Sequence, residues 1–266
     1  MNLKKIIVIG GDSRMKAACE QLKEEFTVDT LGLYDDDGGA IGQSDIILLP
    51  VPTTKDGETV FSPFCGRRIT LEEVSEKAGE RLILTCNYMF DGKNCVDYGQ
   101  LDSYSLLNAV PTAEGAVKLA IENTDFTLFE SRVLVTGYGR CGRVLAGTLK
   151  ALGADVTVSA RKEADFAAAR IQGFNTVNSL QLNEIPLDYD IIFNTVDAPI
   201  IGDKALHSCT AKLMLDLSSK GGFDTEAAIR HGIKALKAPG LPGKTAPVTA
   251  GKILAKTVTD IIKSHI

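Results

Sequence analysis

No two of the six cysteines, at 19, 65, 86, 95, 141 and 209, stand in a CxxC pair, and none adjoins a histidine. This excludes a disulfide frame and a zinc site and leaves free thiols. Histidine is scarce: there are three, His265 lies at the C-terminal end, and no metal site is expected. Apolar runs stay short of the roughly 18–20 residues that span a bilayer. The opening MNLKKIIVIGGD reaches Gly10-Gly11 before a signal-peptide core develops, so a cytoplasmic protein without membrane contact is expected. A basic stripe is also missing. With 29 Lys and Arg against 34 Asp and Glu, the net charge is -5, which argues against nucleic acid and for a small-molecule partner.

The 266 residues, 44% hydrophobic and 24% charged, suffice for two domains, each with its own core. KKIIVIG reads as a strand ending at Gly10-Gly11, and SRMKAACEQLKEEF as the helix after it. DTLGLY, DIILLPVP and RLILTC are compact apolar runs suited to strands of a parallel sheet buried on both faces. Residues 35–39 (DDDGG) and 53–68 are rich in turn formers and read as loops. The three aspartates lack EF-hand spacing, which favours an exposed turn over a cation site.

In NAVPTAEGAVKLAIENT, residues 108–124, Thr112 is a plausible N-cap, so a helix is expected to begin there, at a seam between two α/β halves. Beyond it the pattern restarts: RVLVTG, a helix over 140–152, DVTVSA, a helix over 163–171, a short NTV segment, DIIFNTV, a helix over 202–208, LMLDLS and IKALKAPG. The expected fold is therefore α/β, with two doubly wound parallel-sheet domains: an N-terminal Rossmann-like or flavodoxin-like domain, and a C-terminal NAD(P)-binding Rossmann domain. The expected boundaries are 1–111 plus 246–266 for a substrate and partner domain, and 112–245 for the nucleotide domain, with 112–127 as a hinge helix. The last stretch, TAPVTAGKILAKTVTDIIKSHI, is expected to fold back as a helix and pair with the seam helix.

Gly137, Gly139 and Gly142 form GxGxxG between a buried strand and a helix, the context that makes this motif specific. The glycines serve a tight turn, close approach of a pyrophosphate and close helix packing, and the GYGRCG segment also brings Tyr138, Arg140 and Cys141 to the cofactor. The next strand ends in Ser159-Ala160-Arg161 rather than in the acid that would hold the ribose of NAD. Arg161, Ser159 and Lys162 offer donors and charge to a 2′-phosphate, so NADP is the expected cofactor. Stacking of Arg161 on adenine, indifferent to the phosphate, stays open. Asn194, Thr195 and Val196, then Leu217 and Ser218, then Pro239 and Gly240 follow later strands and are expected along the nicotinamide half.

IIVIGGDSR, NAVPTAEGAVKLAIENTDFTLFESRVLVTGYGRCGRVLA and KALKAPGLPGKTAPVTAGKILA together resemble the dipicolinate synthase A-subunit family. PTAEG, GYGRCG and APGLPGKTAP in this order are far more specific than the glycine fingerprint alone. The resemblance implies a chain that works with a flavoprotein-like B subunit in sporulation. It also implies that the two together oxidise a dihydrodipicolinate-type precursor to pyridine-2,6-dicarboxylate, and that this chain has the two-domain arrangement of hydroxy-acid dehydrogenases. Lys220-Gly221 departs from the arginine and proline usual in that family. Two other readings stay open: a stand-alone NADP dehydrogenase of a small amino, imino or hydroxy acid, and a non-catalytic nucleotide-binding regulatory protein. A homo-oligomer is possible in each.

Such a reaction needs a base and a clamp for carboxylates. Gly11-Asp12-Ser13-Arg14 is the leading clamp, through helix N-terminal amides and a forked arginine, and Arg67 and Arg68 rank below it. Arg14 as a solvated first-turn residue is the competing reading. Thr112 and Glu114 at the start of the seam helix supply a candidate base, although an acid there also serves the helix dipole. Lys244, in the loop PGLPGKTAP, binds carboxylate or only solvent. His207 and His231 read as surface or packing residues.

Overall fold

The computed structural model describes residues 3–34 and 38–265. Its contacts gather into two compact units, Met1–Asn108 with Pro242–Ile266, and Ala109–Leu241.

In the first unit, β1 (Lys5–Ile9) leads to α1 (Ser13–Leu22), β2 (Thr27–Leu31), β3 (Ile46–Leu48), α2 (Leu71–Ala78), β4 (Leu82–Thr85) and β5 (Cys95–Asp97). All pairs are parallel, in the order β2-β1-β3-β4-β5, which is the flavodoxin-like winding with its switch point between β1 and β3. Successive side chains alternate faces. Ile6, Val8, Ile46, Leu48, Leu82 and Leu84 therefore enter one core, while Ile7, Ile9, Ile47, Leu49 and Ile83 enter the other. Burying each such side chain contributes about 1.5–3 kcal/mol.

Three local features of this unit differ from the sequence reading. β2 stops at Leu31, because Gly32 takes φ +72° and a β-carbon there would meet Ile69. The 53–70 segment is partly ordered by the bridges Thr54 to Val60 and Thr59 to Thr70, and Thr70 caps α2 by accepting from the Glu73 amide at 3.0 Å. β5 has only three residues, too few for a periodic signal. The expected turn at Asp35, Asp36 and Asp37 lies outside the described residues.

The seam helix, α3, runs from Asp102 to Asn123 and contains Pro111 in its interior. Thr112 is therefore not an N-cap, and Glu114 does not stand in a first turn. The proline deprives the helix of one hydrogen bond, a local cost offset where Tyr104 and Ala109 bury the turns before it.

The second unit continues with β6 (Arg132–Thr136), α4 (Arg140–Ala151), β7 (Asp155–Ala160), α5 (Glu163–Ile171), β8 (Asn175–Asn178), β9 (Ile191–Asn194), α6 (Asp203–His207), β10 (Leu213–Asp216), α7 (Thr225–Arg230) and β11 (Lys234–Lys237). The sheet is parallel in the order β11-β10-β9-β6-β7-β8, the winding of dinucleotide-binding domains. Val133, Val135, Ile191, Phe193, Leu213 and Leu215 share one core with Ala113, Ala116 and Ala120 of α3. Leu134, Ile192 and Met214 share the other with Leu206 and Ala228.

The chain ends with α8 (Leu241–Thr245) and α9 (Pro247–Ser264). Lys244 thus sits on a short helix rather than in an open loop. The principal partner of α9 is α1, with Gly251 so close to Ala17 and the Arg14 carbonyl that a β-carbon would collide. Of the seam helix only the first turns, through Tyr104, share that cluster, so the expected pairing of α9 with the seam helix is replaced by a pairing with α1. Among the described residues, no helix is long and apolar enough to cross a membrane.

Candidate functional site

The turn after β6 is built by steric exclusion. Gly137 takes φ +87°, and a β-carbon there would press on Val196 and Thr195. At Gly142 it would collide with the Gly137 carbonyl, so helix and strand meet at a distance only glycine permits. At Gly139 a β-carbon would meet only open space. Gly139 is the N-cap of α4 and provides no side chain to cap it. Open space before the positive end of a 12-residue helix is what a pyrophosphate requires.

Around this turn the predicted side chains divide into those that face solvent and those already committed. Arg161 and Lys162, directly after β7, are exposed. Ser159, in contrast, is fully buried, with its hydroxyl 2.9 Å from Ser179 Oγ and 3.3 Å from the Gly137 amide. It braces the turn and does not face a 2′-phosphate, because its face of β7 is covered and its hydroxyl is taken by Ser179 and Gly137. The Tyr138 ring packs edge-on against Phe174 and beneath Arg143, whose Nε donates to the Tyr138 carbonyl at 2.8 Å. Its ring belongs to the core rather than to a ligand. Arg140 is exposed at the first turn of α4, and burial pushes the Cys141 thiol up to about 11, so it is a neutral wall.

Asn194 is also spent internally. Its Oδ1 accepts from Thr136 Oγ1 at 2.6 Å and the Val196 amide at 3.2 Å, while Nδ2 donates to the Val196 carbonyl and to Asp216. Ser218 Oγ donates to Asp216 Oδ1 at 2.6 Å. Thr195 Oγ1 donates to the Thr136 carbonyl at 2.7 Å. These groups shape the strand ends, and what they leave toward a ligand is backbone and the partly exposed Val196 and Leu217. Pro239 and Gly240, after β11, are exposed. Lys220 is exposed in a loop pinned by Asp197, which accepts from the Ser219 and Lys220 amides at 2.7 and 3.1 Å.

In the first unit the corresponding turn is closed. Gly11 donates its amide to the Phe61 carbonyl at 2.7 Å, and the Arg14 amide goes to Asp12 Oδ1 at 3.0 Å, so these amides are not an anion cradle. Arg14 is only 3% exposed, which removes the solvated reading. Its Nε and Nη2 donate to Asp12 at 3.1 and 2.8 Å, and Nη2 also reaches the Val51 carbonyl at 3.0 Å. A buried guanidinium needs a counter-charge, and Asp12 occupies the fork expected for a substrate carboxylate. Burial opposes the Arg14 charge, but Asp12 outweighs it and holds the pKa above its ordinary value. Gly243 lies over Asp12 so closely that a β-carbon would strike the carboxylate. Cys86, Tyr98 and Tyr104 complete this cluster, and burial pushes the Cys86 thiol up to about 12. The sequence does not mark the last three as site residues, because each reads there as an ordinary core residue.

The remaining candidates lie apart. Arg67 pairs with Glu73 and Arg68 with Glu58 at 2.8 Å, both exposed arginines. Glu114 and Lys244 are exposed and Thr112 is half-buried. His231 Nε2 lies 3.0 Å from Asp203, with the His207 ring edge-on at 5.6 Å. Among the described residues no three His, Cys, Asp or Glu side chains are grouped to hold a metal.

Comparison with known proteins adds lineage to this geometry. Residues 5–89 match the family of the dipicolinate synthase A-subunit N-terminal domain. The dipicolinate synthase A-subunit of Bacillus subtilis (strain 168) is 35% identical, over 97% of this chain and 95% of that protein. The crystal structure of the dipicolinate synthase A-subunit from Bacillus halodurans is 30% identical with a TM-score of 0.85, covering 97% of each chain. D-lactate dehydrogenase from Escherichia coli shares the fold at 14% identity and a TM-score of 0.66, over 98% of this chain and 96% of that one.

Proposed function

Because the chain belongs to the dipicolinate synthase A-subunit family, we propose that it is an NADP-dependent oxidoreductase. In this reading it removes a hydride and a proton from a dihydrodipicolinate-type precursor, the hydride going to the nicotinamide and the proton to a base, to give pyridine-2,6-dicarboxylate during sporulation. The second unit holds the nucleotide, and the first takes the substrate and a flavoprotein-like B subunit, in the cytoplasm of the sporulating cell.

The observation that carries the cofactor assignment is the contrast between two helix starts. The turn before α1 is capped by Asp12 and covered by Phe61, whereas the turn before α4 is uncapped by any side chain and open at Gly139. The phosphates are held at α4, with Gly137 and Gly142 fixing the turn. Arg161 and Lys162, exposed after β7, supply a forked donor and a charge for the 2′-phosphate. The bound nicotinamide supplies a hydride acceptor. This chain's residues hold and orient the ring: Thr195 and Val196 wall the turn, and the Asn194, Asp216 and Ser218 network keeps the strand ends rigid.

The test is calorimetric titration of the whole chain with NADP, NADPH, NAD and NADH, with and without pyridine-2,6-dicarboxylate. Phosphate-dependent binding that the dicarboxylate strengthens is the expected result. Binding indifferent to both leaves a dinucleotide domain and removes the substrate assignment.

A further inference from the structure

Tyr98 and Tyr104 meet edge to face, with ring centroids 5.2 Å apart, beyond the carboxyl end of β5. They differ in one respect. The Tyr98 hydroxyl donates to the Leu49 carbonyl at 2.8 Å, while the hydroxyl of Tyr104, on a side chain almost as buried, has no hydrogen-bond partner of proper geometry. Leaving a buried donor unsatisfied is costly, and Phe would fill the same space without that cost. Burial raises the Tyr104 pKa, so the hydroxyl stays protonated and remains a donor at any working pH.

The neighbours define what it can donate to. Cys86 and Asp12 disfavour negative charge at this hydroxyl, while Arg14 favours it and directs its own donors toward the oxygen, so what is left to satisfy is the O–H, which takes an acceptor oxygen and not a second donor. Arg14 already spends Nε and Nη2 on Asp12 and Val51. The hydroxyl is thus the group with bonding capacity to spare, at the sheet edge where open α/β folds take their ligands.

We infer that the Tyr104 hydroxyl is a ligand-binding group, donating to a carboxylate oxygen of a small organic acid held at the carboxyl edge of the first sheet. This rests on the proposed function for the identity of that acid, though not for the role of the hydroxyl.

The test compares wild type with Tyr104→Phe, and with Tyr98→Phe as a control, in the full-length chain with NADP bound. Pyridine-2,6-dicarboxylate, pyruvate and lactate are titrated calorimetrically, and Tm is measured without ligand. Tyr104→Phe is expected to weaken acid binding about tenfold, with NADP affinity unchanged and Tm unchanged or raised. Tyr98→Phe is expected to lower Tm instead. Unchanged acid affinity in Tyr104→Phe, or a loss that comes only with a lowered Tm, overturns the inference. Tyr104-dependent binding of pyruvate or lactate without the dicarboxylate sinks the substrate reading and keeps this one; no acid bound by the wild type sinks both.

Discussion

Asn194 Nδ2 donates to Asp216 Oδ1 across 2.8 Å and ties together the carboxyl ends of the neighbouring strands β9 and β10. Asp216 is nearly fully buried, and its carboxylate also accepts from Ser218 Oγ at 2.6 Å and the Gly222 amide at 3.0 Å. Gly222 is pressed so closely on the Asn194 side chain that a β-carbon would collide with it. Asn194→Ala removes one donor from a buried anion and opens a void, and a loss of about 2–3 kcal/mol is expected in urea denaturation. A loss within the scatter of surface substitutions would show that the network is dispensable.

The two glycines of the nucleotide turn should separate stability from binding. Gly139 has φ -77° and open space, so Gly139→Ala is expected to keep the wild-type Tm while weakening dinucleotide binding at least tenfold. Gly142→Ala forces a β-carbon onto the Gly137 carbonyl and should lower Tm as well, since overpacking costs about 1–3 kcal/mol. Thermal melts alongside titrations with NADPH distinguish the two, and equal behaviour would contradict the assignment of Gly139 to the pyrophosphate.

Arg161 tests the 2′-phosphate directly. It is exposed after β7, so Arg161→Asp should leave folding intact. It is expected to weaken NADP by about tenfold or more while changing NAD little, or improving it. Parallel losses for the two nucleotides would point to stacking on adenine instead.

Asp12 and Arg14 test the closed turn of the first unit. Asp12→Ala strands a buried guanidinium and removes the cap of α1. Breaking such a pair from one side costs about 3–5 kcal/mol, so the Tm should fall by many degrees. A wild-type melt would mean that Arg14 finds another counter-charge.

Acid sensitivity has a named source at the start of β6. Arg132 donates to Asp188 at 2.5 Å and to Asp190 at 3.1 Å. Its hydrogen bond holds Asp188 below the ordinary carboxylate value; at Asp190 burial pushes upward, but Arg132 prevails. Groups with depressed folded pKa values contribute stability that is present above the unfolded value of 3.8 and lost as pH falls through the folded values. Arg132→Ala should therefore flatten the decline of Tm between about pH 4 and pH 2. An unchanged slope would assign acid sensitivity elsewhere.

The two parallel sheets and the nucleotide turn are legible in the amino-acid sequence alone. Aliphatic runs such as KIIVI and IIFN specify strands buried on both faces, and GxGxxG between strand and helix specifies a turn that only glycine can make. Both signals are local, carried by residues a few positions apart. Which polar side chains remain available depends instead on long-range packing. Thr136 claims Asn194, Ser179 claims Ser159, and Val51 helps claim Arg14, each from a distant part of the chain, so no local pattern announces the pairing. The same holds for α3, where Pro111 resembles a helix start until the burial of Tyr104 carries the helix back to Asp102. Burial makes a hydrogen bond obligatory, and the fold alone chooses the partner.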